Sequence, residues 1–341
     1  MSQKGVSRSS RGAEPVRATS GPLAAGVQEP PAGVDFAHAL TGPDQSPLRP
    51  VFGALMAFSL YAVAVPMVAQ LVVWMGWLMG GRPGPFGVYL REALAFEHIP
   101  GLVGAHLGLA LLTLISLGLV RLVHGRRVEW GMSVQPGMRW RYLLLCLPVA
   151  AVVLNGVLLV GSAGSGFHLQ PQAHVAWWLL AVLLTAPLQA AGEEFFFRGY
   201  LLQATGSLAS QLGGGQQIAR IAAVVGSSLV FALFHGVQNP ALFVDRFGFG
   251  LLAGLLVLRT GGLEAGIACH VANNLFAFGW AALGGGIAEA RALQSIGWAQ
   301  AVSDLTGFAL FALCAAWIAG RMNLASRNPL ADRFGMQPRL G

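Results

Sequence analysis

Charge is what this sequence has least of. Of its 341 residues only 10% are charged, against 55% hydrophobic, and the mean hydropathy is +0.62. A soluble globular domain carries roughly 25% charged residues, so too few are present to cover a water-facing surface of this size. The length alone would allow two soluble domains, but the composition excludes them, along with disordered, collagen-like and disulfide-scaffold classes. Lysine is nearly missing too. Lys4 stands alone, so arginine carries the net charge of +7. In a membrane chain such an excess reports topology first, and no nucleic-acid partner is expected. The three cysteines, Cys146, Cys269 and Cys314, each sit inside an apolar run. They lack the paired spacing of a disulfide framework or a zinc knuckle and read as small packing residues. There is no His-Glu-x-x-His run, and residues 1–48 lack the apolar core of a signal peptide. That stretch is polar, rich in Gly, Pro, Ser and Arg, and is expected to be a disordered cytoplasmic tail.

In place of charges the chain has long uncharged runs. None of Asp, Glu, Lys or Arg occurs between Arg49 and Arg82, or between Arg141 and Glu193. A membrane span needs about 20 mostly apolar residues. The second run exceeds that, and Gly161 to Gly166 with Pro171 break it in two. Eight spans follow, near 52–79, 101–120, 142–160, 174–198, 218–236, 240–258, 263–282 and 301–320. Asn239-Pro240 reads as an N-cap with proline at the first helical position, and Asp245 near that start suits the helix dipole. Residues 85–99 are expected to form an interfacial helix with Phe86, Leu90, Leu94 and Phe96 on one side. The fold class is therefore an all-α, polytopic transmembrane helical bundle. Basic residues fall in the N-terminal tail, in the connection holding Arg121, Arg126, Arg127, Arg139 and Arg141, and in the tail after Arg321. Eight spans put all three on one side, which the positive-inside rule makes cytoplasmic. The opposite side keeps Arg82, Arg91, Arg246 and Arg291. The abundance of Arg, Ala and Gly suggests a GC-rich bacterial genome and an inner-membrane location.

An ionisable side chain within a span is costly and therefore a functional candidate. The fourth span ends in Gly192-Glu193-Glu194-Phe195-Phe196-Phe197-Arg198. Glu194 and Arg198 share a helix face and can neutralise each other. Glu193 is turned about 100° away from Glu194 and needs a partner from elsewhere, or a proton. His235 closes the fifth span, while His270 and Asn274 share a face of the seventh. Polar groups in a low-dielectric bundle must find one another. A glutamate, two histidines and an asparagine can activate water and stabilise an oxyanion. The bland reading of the acids is a pair marking the water interface beside Arg198. Pro187 would loosen the backbone ahead of Glu193, or is an ordinary membrane-helix proline.

These three stations, Glu193-Glu194-x-x-x-Arg198, Phe231-x-x-x-His235 and His270-x-x-x-Asn274, resemble the signature of the CPBP family of CAAX-type intramembrane proteases. The match extends through Gly199-Tyr200-Leu201 and covers about residues 175–285. The resemblance implies an intramembrane endopeptidase. By position, Glu193 and His235 would activate the attacking water, His270 and Asn274 would stabilise the oxyanion, and Glu194 and Arg198 would fix the end of the fourth span. Asn273 beside Asn274 leaves a small ambiguity, which the spacing from His270 resolves for Asn274. On this reading the chain divides into a tail (1–48), three spans (49–174), a protease core (175–285), and a last span with a basic cytoplasmic tail (286–341).

The implied partners are the lipid bilayer and a membrane-anchored protein or peptide substrate. Peptide tails rank above prenylated ones, because most bacteria do not prenylate their own proteins. No cofactor is favoured. Zn2+ held by Glu193, His235 and His270 is the alternative, and is disfavoured because their sequence neighbours offer few acceptors to orient the histidines. A proton-coupled transporter and a non-catalytic scaffold or immunity protein are the readings from other classes.

Overall fold

In lipid, a chain must satisfy every backbone N–H and C=O internally, so the uncharged runs become helices. A computed structural model gives the architecture and describes residues 27–161 and 169–329. In chain order the helices are α1 (Leu48–Met79), α2 (Phe86–Leu94), α3 (Ile99–Leu122), α4 (Trp140–Gly161), α5 (Val175–Glu193), α6 (Leu202–Gln211), α7 (Gln216–Leu233), α8 (Pro240–Thr260), α9 (Glu264–Gly284), α10 (Ile287–Arg291) and α11 (Trp298–Arg321). A π-helical segment, Glu194–Leu201, joins α5 to α6 without a break. Among the described residues no strand forms beyond two isolated bridges. Seven stretches of the described residues are long and apolar enough to cross a membrane: α1, α3, α4, Val175–Gln211, α7, α8 and α11. The expected span 263–282 appears as α9, which is 21 residues long. It carries Glu264, His270, Asn273 and Asn274 and packs against α4 and α5.

The helices close into a ring. α3 lies between α1 and α5, and α5 packs on α9. α9 packs on α4, α4 on α11, α11 on α8 and α8 on α7. α7 meets α6, which returns to α1. The π segment runs through the middle and touches α3, α5, α6, α7, α8 and α9. Lipid tails are as apolar as leucine, so helix pairing relies on close packing, and small residues permit it. Gly104 and Gly108 of α3 lie against the carbonyls of Ala69 and Val65 on α1. A Cβ at Gly192 would overlap the Leu109 carbonyl of α3, so glycine sets the α3–α5 approach just before Glu193.

Several boundaries differ from the sequence reading. The span expected at 174–198 continues to Gln211. The helix expected to reach 236 stops at Leu233, and Gly236 (φ 79°) follows in the turn. The buried side of α2 is Tyr89 and Ala93, with Phe86 and Leu90 partly covered, whereas Leu94 is exposed. Helical spacing explains this: 86, 89, 90 and 93 share a face, and position 94 is rotated away. The Asn239 cap forms as read, its side-chain oxygen accepting from the Leu242 N–H at 3.0 Å.

Residues 27–48 overturn the expectation of a disordered tail over that part. They fold back as an ordered strap, with a short 3-10 helix at Phe36–His38. The strap builds no core of its own and borrows the bundle's. Phe36 and Leu40 are fully buried, and Ala37 sits against Gly206 of α6. Buried Arg126 donates to the Thr41 carbonyl at 2.7 Å and to Asp44 at 3.0 Å. The Asn328 amide donates to the carbonyls of Pro30 and Pro31, and the backbones at Asp35 and Arg327 pair as an isolated antiparallel bridge. The strap, the α3–α4 connection and the segment after α11 thus meet at one end of the bundle. Burial pushes the Asp35 carboxyl up, but bonds from His38 and Arg220 more than offset this and hold it below the usual range. The remaining tails (1–26 and 330–341) and the Gly-Ser break at 162–168 lie outside the described residues.

If the strap belongs to the fold, Phe36→Ala should cost about 3–5 kcal/mol, as for other buried aromatic truncations. Thermal unfolding in mild detergent measures this. An unchanged midpoint would mean the strap adds nothing to the bundle.

Candidate active site

The π segment places the charged motif at the centre of the ring. Such segments are rare, are commonly short insertions in α-helices, and are frequent at functional sites. All eight of its residues are buried. Phe196 turns towards Phe58 and Tyr61 of α1, with ring centroids at 6.2 and 5.6 Å. Phe197 meets Phe231 of α7 edge-on at 5.2 Å. The Arg198 guanidinium carbon lies 3.9 Å from the Phe231 ring centre and 5.1 Å from that of Phe249. These aromatic faces offer the buried cation an electrostatic partner.

Glu194 and Arg198 are both 0% exposed, and Arg198 Nη1 lies 3.0 Å from Glu194 Oε1. The same oxygen accepts from His270 Nδ1 at 2.9 Å. Glu194 Oε2 faces Gly266 of α9, where a Cβ would stand 2.9 Å away. Glycine at 266 therefore lets α9 close over the carboxylate. Glu193 is separate from this pair. Its Oε2 lies 3.4 Å from His270 Nε2. Its charge reaches His235 and Tyr61. His270 thus stands between two adjacent acids, one at each ring nitrogen.

Asn274 follows His270 by one turn. Its Nδ2 donates to Gln189 Oε1 at 2.7 Å, while its Oδ1 accepts from Asn273 Nδ2 at 3.2 Å. Gln189 precedes Glu193 by one turn of α5. His235 lies beyond the end of α7 and is exposed. Its Nδ1 donates to the Phe231 carbonyl at 2.8 Å, and its ring meets Phe231 at 4.6 Å. With Nδ1 so engaged, a neutral His235 has Nε2 as its acceptor.

Glu193, Glu194, Arg198 and His270 are thus in direct contact, and Asn274 joins α5 through Gln189. Two expectations need correction. His235 does not close a helix; it sits in the turn after one. The two histidines do have acceptors at Nδ1. One is the backbone carbonyl of Phe231, one turn back, which side-chain identities do not mark, and the other is Glu194, far away in sequence. Gln189 and Gly266 were not anticipated. The four-residue spacing from Gln189 to Glu193 was the available signal for Gln189. Among the described residues, no group of three or more His, Cys, Asp and Glu side chains is placed to hold a metal ion.

Residues 173–276 match the family described as Type II CAAX prenyl endopeptidase Rce1-like. The chain carries a Rce1-like segment. That segment includes Glu193, Glu194, Arg198, His235, His270 and Asn274, and bears out the CPBP resemblance read from the three motifs. Within the curated proteins, the uncharacterized protein YyaK of Bacillus subtilis (strain 168) is 32% identical over 106 residues, which is 29% of this chain. The match spans 33% of YyaK, about a third of that relative's length. No solved structure matches.

Removing Arg198 would leave Glu194 buried without its counter-charge. Arg198→Met should destabilise the Rce1-like segment by about 3–5 kcal/mol. Thermal unfolding in detergent tests this, and a midpoint equal to wild type would show that Glu194 does not depend on the pair.

Proposed function

We propose that this protein is an intramembrane endopeptidase that hydrolyses a peptide bond in a membrane-anchored protein or peptide. The observation that carries the proposal is the unequal treatment of two adjacent glutamates. Glu194 is committed to Arg198 and His270. Among the described residues Glu193 has no arginine paired with it, and its Oε2 faces His270 Nε2 at 3.4 Å. A carboxylate held this way is available as a general base.

The reaction runs on this chain's own groups. Glu193, with His235 Nε2 as second acceptor, takes a proton from a water whose oxygen attacks the substrate carbonyl carbon. Charge develops on the carbonyl oxygen, where His270 Nε2–H and one Asn274 N–H donate. Because His270 Nδ1 already donates to Glu194, donation from Nε2 as well calls for the imidazolium. The tetrahedral intermediate then collapses. The C–N bond breaks, and the proton held by Glu193 passes to the leaving nitrogen. Bonds to the substrate form and break without any redox partner.

The membrane setting also limits the substrate. A peptide bond within an intact helix is shielded in lipid, so an unwound or terminal segment is the target. Membrane-anchored peptide tails fit this requirement, and prenylated tails are a narrower version of it. The meeting of the strap, the α3–α4 connection and the segment after α11 at one end supports an even number of crossings. Their arginines support a cytoplasmic placement for that end. A cytoplasm-only reporter at residue 341 should be active, and an active periplasm-only reporter there would contradict this topology.

A zinc-dependent version of the same hydrolysis is the second reading. It draws on the Glu194–His270 contact, because zinc-bound histidines commonly donate their other nitrogen to a carboxylate. Purified protein should keep its activity through chelation. About one zinc per chain, lost and restored together with activity, would make Glu193, His235 and His270 the ligands instead.

The direct test compares membrane-protein termini in cells carrying wild type or Glu193→Gln. The variant keeps shape but cannot accept the proton, so new termini should fall at least ~100-fold, the low end of general-base effects. Wild-type levels of cleavage in Glu193→Gln, or no cleavage by wild type beside measurable proton flux, would overturn the proposal.

A further inference from the structure

We infer that Gln189 is a positioning residue that fixes the orientation of the Asn274 amide; the inference rests on the peptidase reading above. Gln189 is buried at 6% exposure, in a helix surrounded by apolar side chains. An amide in such a place is costly unless its polar atoms are bonded. Gln189 Oε1 is spent on Asn274, at 2.7 Å.

The chemistry of that contact is directional. An asparagine amide presents two N–H hydrogens on one side and an acceptor oxygen on the other. Asn273 donates to Asn274 Oδ1 from within α9, and Gln189 accepts from Nδ2 across the helix interface. Both contacts favour the same orientation. With Gln189 Oε1 facing α9, a half-turn of the Asn274 amide would set two acceptor oxygens against each other, and would break the bond from Asn273 too. One Nδ2 hydrogen goes to Gln189, and the second remains for the substrate. Without Gln189 the amide would be freer to turn its oxygen towards the developing oxyanion, where it would repel.

Gln189 also ties this donor to the base. It lies four residues before Glu193, on the same face of α5. One helix therefore carries both the base and the residue that aims the oxyanion donor. The preceding position on that face, Thr185, has no such outlet. It accepts from His106 Nδ1 at 2.7 Å and donates to the Ala181 carbonyl at 2.6 Å, closing its own bonds within the bundle.

The test is a double-mutant cycle on cleavage rate. Each variant is induced in cells, and the rate at which the Glu193-dependent termini appear is normalised to folded protein. Gln189→Met removes the acceptor at similar length and should slow cleavage about tenfold, less than the ~10²–10³ for losing an oxyanion donor outright. Gln189→Glu keeps an acceptor oxygen in either protonation state and should stay within about threefold of wild type. In an Asn274→Ala background Gln189→Met should have no further effect, because nothing is left to orient. A wild-type rate in Gln189→Met would overturn the inference, as would the same tenfold loss with Asn274 already removed. If Gln189→Met folds poorly, the cycle is run with Gln189→Leu, and a rate for Gln189→Glu as low as an acceptor-free variant would overturn the inference. If Glu193→Gln cleaves normally, the peptidase reading fails, which is distinct from Gln189 failing while Glu193→Gln is inactive.

Discussion

A fully buried carboxylate in a membrane bundle requires a cation, and the pairing of Glu194 with Arg198 meets that requirement. Neither group is exposed at the surface, so their neighbours are constrained in turn. The guanidinium needs aromatic faces around it, which Phe231 and Phe249 supply from α7 and α8. The carboxylate needs room and a second donor, which Gly266 and His270 supply from α9. Three helices are thereby tied to the π segment by the demands of one ion pair. Such a pair is a poor source of net stability compared with well-packed apolar residues. Its value here lies in specifying the positions of the groups around it.

This explains why two adjacent glutamates have different surroundings. A turn of about 100° per residue sends Glu194 into the aromatic and arginine cage and turns Glu193 to the other edge of His270. His270 is then held from both sides, and its orientation does not depend on substrate. Preorganised donors and bases of this kind contribute most in a water-poor site, where they need no rearrangement as charge develops. On the proposed peptidase reading, the Gln189–Asn274 contact would apply the same principle to the second donor.

Much of the architecture was legible because it follows from absence of charge. Except for the fourth, which runs on to Gln211, the uncharged runs marked helices within a few residues of their observed limits, and Asn239-Pro240 marked a helix start that the structure realises through the Leu242 N–H. The Glu194–Arg198 pair was legible from i, i+4 spacing alone. What could not be read depends on contacts distant in sequence. Arg139 grips the fully buried Glu264 at the start of α9, with Nε 2.8 Å from Oε1, yet the two are far apart in the chain. The strap at 27–48 looked disordered because it has too few apolar residues for a core. Only the bundle shows that Phe36 and Leu40 fill a core already there. The acceptor of His270 escaped for a similar reason, since Glu194 sits on α5's continuation; that of His235 is a local backbone carbonyl, which side-chain identities do not mark.

The central claim is that Glu194 holds the structure while Glu193 is kept for chemistry. Thermal unfolding of Glu193→Gln and Glu194→Gln, measured side by side in the same detergent, tests it most directly. The account predicts that Glu194→Gln unfolds well below wild type, because Arg198 is left buried without its counter-charge, while Glu193→Gln unfolds within a few degrees of wild type. A Glu193→Gln protein that unfolds as early as Glu194→Gln, or a Glu194→Gln protein as stable as wild type, would contradict it.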